Sequence, residues 1–192
     1  MKRTTTYFLT AFAIFAVMLT PRVLAATSPP PTGGVLPEIT LSVPEVQAYR
    51  NYLGLSKGNF FKVPEIKGNV VIIEVFSMYC PFCQREAPNV NSLYRIIESN
   101  KNLKGKIKLI GIGAGNSSFE IEVFRGQYKI PFPLFADENF SIHKSLGDVR
   151  TPYFIGVKIN EDGTHKVFYS KLGGFDKAET FLQMMLKLSG LK

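Results

Sequence analysis

The centre of the chain has the clearest hydrophobic pattern. Val70 to Phe76 is an almost continuous apolar, β-branched run, broken only by Glu74, as expected for a strand covered on both faces. Directly after it come Ser77 to Cys83, and then a helical pattern in which Val90, Leu93, Tyr94 and Ile97 recur at i, i+3, i+4 and i+7. Pro88 inside that pattern predicts a kink, because it removes a backbone donor and clashes with the preceding turn. Ile107 to Ile112 reads as a second buried strand running into the glycine-rich Gly111 to Gly115. Ser118 to about Tyr128 suits a helix, Phe132 to Phe135 a short strand, and Phe140 to Leu146 another helix. Tyr153 to Ile159 and Lys166 to Tyr169 alternate around Asp162-Gly163, a hairpin signal. Asp176 followed by Glu179 reads as a capping box, opening a last helix that buries Ala178, Phe181, Leu182 and Met185. Strands alternating with helices and closing in a hairpin predict an α/β domain with a mixed sheet.

The N-terminal part reads differently. Lys2 and Arg3 precede an apolar stretch from Tyr7 to Leu19, and Val23-Leu24-Ala25 offers a small-residue cut site, the pattern of a secretory signal over residues 1–25. The apolar stretch is shorter than the roughly 20 residues a spanning helix needs. Residues 26–44, with Pro29, Pro30, Pro31, Gly33, Gly34, Pro37 and Pro44, read as a flexible or polyproline-like leader. The domain proper is expected over 45–192, beginning with a helix from Pro44 to about Leu53, a strand over Asn59 to Val63 and a turn at Lys67-Gly68-Asn69.

Composition narrows the class. The 192 residues carry 45% apolar and 20% charged residues, the balance of a packed globular chain, and that length suits one domain. There is no Trp, and 16 Phe and 8 Tyr supply aromatic bulk. Removing the signal takes away Lys2, Arg3 and Arg22, so net charge falls from +8 to +5. The remaining excess is scattered, apart from Lys101, Lys104, Lys106 and Lys108, which read as a solvated approach to the second strand. A nucleic-acid footprint needs a basic face interleaved with stacking aromatics. The sequence has none, which excludes nucleic acid as a partner.

The chemistry concentrates at Cys80 and Cys83, the two cysteines. Two are too few for a stapled scaffold or a Cys₄ zinc site. A disulfide between residues three apart closes a very small loop and has little leverage as a staple. At a strand-to-helix junction the pair does something else. Unpaired amides and roughly half a positive charge at the helix N-terminus favour a thiolate at Cys80. Cys83, one turn further in, is placed to attack a mixed disulfide from inside. Zinc binding needs four ligands, and His143 and His165 are isolated from any second ligand pair. Haem attachment would need His after Cys83, where Gln84 stands. Met78-Tyr79-Cys80-Pro81-Phe82-Cys83 also fits the Met-x-Cys-x-x-Cys pattern of copper(I) carriers, an alternative that stays open, although such modules are far smaller.

Two acids stand where apolar residues are expected. Glu74 lies inside the apolar strand, where burial should raise its pKa above about 4.3. Glu86 opens the buried stripe of the helix. Buried acids are costly unless used, and a base must take the proton from Cys83 before it can attack. The bland reading is an acid facing a polar crevice or capping the helix.

Together these residues resemble the thioredoxin superfamily, and most closely its exported TlpA/ResA-like branch. Cys80-Pro81-Phe82-Cys83 is similar to the family's active-site motif, Glu74 stands where thioredoxins carry a buried acid, and Pro88 where they kink the helix. Cys80-x-x-Cys83-x-x-Glu86-x-Pro88 resembles the pattern of the branch, and Thr151-Pro152 resembles the family's cis-proline. In that family the cis-proline loop packs against the cysteines and offers the preceding backbone to the substrate. The resemblance covers roughly residues 45–190. It implies a three-layer thioredoxin-like fold, a central mixed β-sheet flanked by helices. A strand–helix insertion would lie between the CxxC helix and the cis-proline strand.

There are departures. Tyr79 stands where the branch usually has Trp, and no lysine occupies Leu109 to Gly113, where thioredoxin pairs one with its buried acid. The Pro-Phe pair is closer to glutaredoxins, and Gly173-Gly174-Phe175-Asp176 resembles their glutathione-binding turn. A peroxiredoxin signature would need Pro at Ile73 and Thr at Ser77.

The resemblance implies an exported thiol–disulfide oxidoreductase, periplasmic where an outer membrane exists, or retained at the membrane where the signal stays uncleaved. It would reduce disulfides of extracytoplasmic proteins, as in cytochrome c maturation. Cys80 attacks and Cys83 resolves, with Glu86 or Glu74 taking the proton. Met78, Tyr79, Phe82, Thr151 and Pro152 would receive the substrate chain. No cofactor is implied, since electrons travel as the dithiol. The implied partners are protein thiols or disulfides and a membrane thiol donor. A glutathione-dependent reductase and a copper(I) carrier are the alternatives.

Overall fold

A computed structural model describes residues 28–56 and 58–191. The expected signal over 1–25 lies outside the described residues. The elements are β1 (Thr40–Ser42), α1 (Gln47–Leu53), β2 (Phe60–Lys62), a 3₁₀ turn (Val63–Glu65), β3 (Val70–Phe76), α2 (Pro81–Ser99) and β4 (Ile107–Ala114). They continue with α3 (Ser118–Tyr128), β5 (Leu134–Asp137), α4 (Ser141–Ser145), β6 (Tyr153–Ile159), β7 (His165–Leu172) and α5 (Ala178–Ser189).

Five strands form one mixed sheet in the order β5-β4-β3-β6-β7. All seven residues of β3 are buried, which is why it sits in the middle. It runs parallel to β4, from Val70 opposite Ile107 to Phe76 opposite Gly113, and antiparallel to β6. Between α2 and β6 the chain makes β4, α3, β5 and α4, and β5 becomes an edge strand. The fold is thioredoxin-like, with helices on both sides of a mixed sheet.

Alternation along β3 divides the core. Val71, Ile73 and Val75 face one layer with Leu53, Phe61 and Leu146. Val70, Ile72 and Phe76 face the other, against Val90, Leu93 and Ile97 of α2, Ile121 and Phe124 of α3, and Phe181, Leu182 and Met185 of α5. By the same parity Glu74 points into the α2 layer.

The N-terminal segment corrects the expected leader. Leu36, Ile39 and Leu41 are buried in the first core layer, and β1 pairs antiparallel with β2. Gly33 N donates to Val167 O at 2.8 Å, and Val167 N donates back to Gly34 O at 2.9 Å. The prolines do not make this stretch a tether. The helices on that side are short, so Leu36, Ile39 and Leu41 supply apolar cover that a longer helix would otherwise provide.

Three local expectations also change. The last helix begins at Ala178, and its N-cap, Lys177, makes no side-chain cap bond, so Asp176 and Glu179 are not a capping box. The reciprocal box sits instead on α3, where Glu120 N donates to Ser117 Oγ and Ser117 N donates to Glu120. Lys108 is not solvated: it is buried on β4, and its ammonium lies 4.4 Å from the centre of the Tyr52 ring.

Candidate active site

The strand registers bring one set of loops together. Phe76 pairs with Gly113, Ala114 with Asp137, Val75 with Tyr153, and Tyr153 with Leu172. The segments after β3, β4, β5 and β7 and the one before β6 therefore emerge along a single edge of the sheet.

On that edge Cys80 is the N-cap of α2 and Pro81 the first helical residue, where proline's missing donor costs nothing. Cys80 N donates to Ser77 O at 3.0 Å, and Gln84 N donates to Cys80 O at 3.1 Å, which fixes the turn into the helix. Gln84 Nε2 holds Met78 O at 2.8 Å, and Met78 N donates to Asn116 Oδ1 at 2.8 Å. α2 continues through Pro88, and Ser92 Oγ donates to Pro88 O at 2.9 Å.

Both cysteines are free thiols, Cys80 half-buried and Cys83 fully buried. Burial pushes the Cys80 thiol up, but the Thr151 hydroxyl, the amides of Cys83 and Phe82 and the Cys83 thiol outweigh it, so its pKa lies below the ordinary value. When protonated, Cys80 Sγ donates to Thr151 O at 3.3 Å. Cys83 moves the opposite way: burial raises its pKa strongly, and the negative charge of Glu74 adds to this. The two thiols therefore differ in acidity, Cys80 below the ordinary value and Cys83 above it.

The two acids separate. Glu74 is buried on β3, and burial, reinforced by the charges of Glu86 and Cys80, raises its pKa from 4.5 to about 8. Glu86 instead accepts from Phe175 N at 3.0 Å, while Asn89 Nδ2 donates to Phe175 O at 3.0 Å. Burial raises the Glu86 pKa, opposed by the Phe175 amide and by the Asn89 side chain acting on the carboxylate itself. A Cβ on Gly174 would collide with the Glu86 carboxylate, so the turn expected to resemble a glutathione site is packed against the protein's own acid. The same turn reaches the proline loop, where Gly173 N donates to Pro152 O at 2.9 Å.

The Thr151–Pro152 peptide is cis. Tyr79 and Phe82 are 65% and 64% exposed. Met78 and Thr151 are half-buried, while Pro152 is buried and forms no part of an exposed rim. Tyr79 Oη bonds Glu120, tying the cysteine loop to α3, and the Arg85 guanidinium lies 4.5 Å from the centre of the Phe82 ring. Among the described residues no group of three or more His, Cys, Asp and Glu side chains is arranged to hold a metal. His143 Nε2 bonds Val149 O at 2.7 Å, and His165 lies at the far side against Leu36 O. Sequence reasoning missed Asn116 altogether. An asparagine at the end of a glycine-rich strand was the available signal.

Paired thiols of opposite acidity at a helix N-terminus, beside a proline loop on a thioredoxin-like sheet, define a thioredoxin-superfamily protein. The family model described as AhpC/TSA matches residues 37–173, and the chain belongs to that family. A thiol-disulfide oxidoreductase ResA from Halalkalibacterium halodurans is 25% identical over 107 residues, 56% of this chain and 57% of the relative. The match thus spans less than two thirds of the relative's length. The thioredoxin domain of a thiol-disulfide oxidoreductase from Bacteroides vulgatus superposes with a TM-score of 0.59 at 19% identity, covering 81% of this chain and 98% of that one. StoA from Bacillus subtilis gives a TM-score of 0.54 at 22% identity, over 78% of this chain and 96% of its own. These likenesses concern the fold; the reaction has to be read from the site.

Proposed function

We propose that this protein is an exported thiol–disulfide oxidoreductase that reduces polypeptide disulfides through Cys80 and Cys83. The observation that carries this reading is the opposed acidity of the two thiols, with Thr151 beside them and Glu74 behind Cys83. The Cys80 thiolate attacks one sulfur of the substrate disulfide. That S–S bond breaks, a Cys80–substrate disulfide forms, and the other substrate sulfur leaves as a thiolate that takes a proton from water. Cys83 then gives its proton to Glu74 in its ionised form, a minor share below the Glu74 pKa of about 8 that grows as pH rises, and attacks the Cys80 sulfur. The second substrate thiolate is released and Cys80–Cys83 becomes the disulfide. Two electrons pass to the substrate, and an external dithiol donor must return them.

Glu74 is the proton acceptor in this scheme, because its charge couples to Cys83 while the hydrogen bonds of Glu86 go to the Phe175 turn. Glu86 positions the turn that holds Pro152. Export rests on the signal pattern of residues 1–25, and exported cysteine proteins, apocytochromes c among them, are the substrate class that follows. A membrane dithiol is the matching electron source.

Reduction of insulin disulfides by the protein kept reduced with dithiothreitol tests the reading. Cys80→Ser should abolish the turnover above the dithiothreitol background, and Cys83→Ser should accumulate a mixed disulfide visible by mass. Unchanged turnover in Cys80→Ser would sink the proposal.

A further inference from the structure

The short helix α4 is anchored to the end of the sheet. Asp137, the last residue of β5, is buried, and its carboxylate accepts from Ile142 N at 3.0 Å, His143 N at 2.7 Å and Ser141 Oγ at 3.3 Å. Hydrogen bonds to an ionised carboxylate are among the stronger ones, so the backbone of His143 is tied to β5. Its ring packs edge-on against Phe140, with centroids 5.7 Å apart. After α4 the chain turns back through Gly147 (φ +88°) and Asp148 (φ +49°), two consecutive left-handed residues, the second of them not glycine. Asp148 N donates to His143 O at 3.1 Å, so the turn closes around the histidine.

The imidazole reaches from this platform to the loop before the cis-proline. His143 Nε2 lies 2.7 Å from Val149 O; a carbonyl only accepts, so Nε2 carries the hydrogen. Nδ1 is buried without a hydrogen bond, 3.3 Å from an Asp148 carboxylate oxygen. The Val149 side chain is buried in the first core layer, which holds the residue in place. It does not decide which way the following peptide faces; the bond from the ring does. Two residues on, Thr151 O accepts from Cys80 Sγ at 3.3 Å, and His143 and Thr151 border the same cleft together with Tyr79 and Arg150.

We propose that His143 is a positioning residue of the dithiol site: by holding Val149 O it fixes the peptide that leads into Thr151, and so sets how Thr151 meets the Cys80 sulfur. The line of contact runs from β5 through Asp137, α4 and the imidazole to the loop before Pro152. Burial raises the Cys80 pKa, and the Thr151 hydroxyl leads the groups that outweigh it. A Thr151 that drifts from Cys80 therefore leaves a less acidic thiol. This assignment deepens the oxidoreductase reading and rests on it.

Iodoacetamide labelling of Cys80 across pH tests the assignment, in the wild type and in two neutral amide variants. Gln places its amide near the position of Nε2 and keeps a donor for Val149 O, whereas Asn places its amide near Nδ1 and does not. His143→Asn should raise the midpoint of the Cys80 profile by roughly half a pH unit, and His143→Gln should bring it back to the wild-type value. Both variants remove any charge the ring carries, so equal shifts in the two would assign the effect to charge and overturn the proposal. An unshifted midpoint in His143→Asn would overturn it as well. His143→Phe, which keeps a ring against Phe140 but has no donor, replaces Asn if that variant does not fold. Failure of both to fold would make the bond a support of the fold alone, and the assignment would fall. Wild-type protein whose Cys80 is alkylated normally but which reduces no insulin would refute the oxidoreductase reading instead, and the midpoints would still decide the role of His143.

Discussion

Replacing Glu74 by Gln should remove a pH dependence built into the folded state. Burial raises the Glu74 pKa from 4.5 to about 8, so the folded protein holds a proton that the unfolded chain has released. Between those values the native state binds more protons, and stability falls as pH rises. The advantage is whole below pH 4.5 and is lost as pH passes through about 8. At about 1.4 kcal/mol per pH unit the full span corresponds to about 5 kcal/mol, roughly 4 of it between pH 5 and 8.5. That is a large share of the 5–15 kcal/mol typical of a domain. Glutamine is neutral throughout and of similar size. Urea unfolding of both proteins, kept reduced at pH 5, 7 and 8.5, should show the wild type losing roughly 4 kcal/mol more than Glu74→Gln across that range. Stopping at pH 8.5 keeps the Cys83 thiol, which burial also pushes up, from adding its own decline. Parallel profiles would mean that Glu74 holds no extra proton in the folded state, and would contradict its raised pKa.

Other consequences are tested separately. Iodoacetamide should label Cys80 before Cys83, with a rate profile whose midpoint lies below the ordinary value of 9.0 and which disappears in Cys80→Ser; equal labelling of both thiols would contradict the site. Glu86→Gln keeps an acceptor for Phe175 N and should retain insulin-reducing activity, whereas Glu86→Ala should raise KM several-fold more than it lowers kcat, since it frees the turn behind Pro152. Were Glu86 the proton acceptor, Gln would be as damaging as Ala and the pH–rate profile would move. Asn116→Ala leaves the Met78 amide without its acceptor and should cost roughly 1–3 kcal/mol in denaturant unfolding; Asn116→Asp, which keeps that oxygen, should recover most of it.

The fold was largely legible because its central strands are continuous apolar runs and its helices repeat at 3.6 residues. Val70 to Phe76, Ser118 to Tyr128 and Tyr153 to Ile159 stand where periodicity puts them. What periodicity hides is tertiary cover. Leu36, Ile39 and Leu41 sit among prolines and glycines, and only the bare sheet face beneath them gives them a core role. Lys108 is similar: charge alone reads as solvent, and only the Tyr52 ring opposite explains its burial. At the site, Cys80, Cys83 and Glu74 were readable from position within strand and helix. The bond from Phe175 N to Glu86 was not, because that turn is 89 residues away along the chain. Asn116 was missed for the same reason, its partner Met78 lying 38 residues earlier.

The most direct test of the account is the equilibrium redox titration of the Cys80–Cys83 pair against glutathione, read by thiol labelling and mass. The account predicts one reversible two-electron couple, with Cys80→Ser and Cys83→Ser each abolishing it. A potential near about −270 mV would fit the reductant proposed, while one near about −120 mV would describe an oxidant and reverse the direction of electron flow. No reversible couple at all would contradict the dithiol chemistry itself.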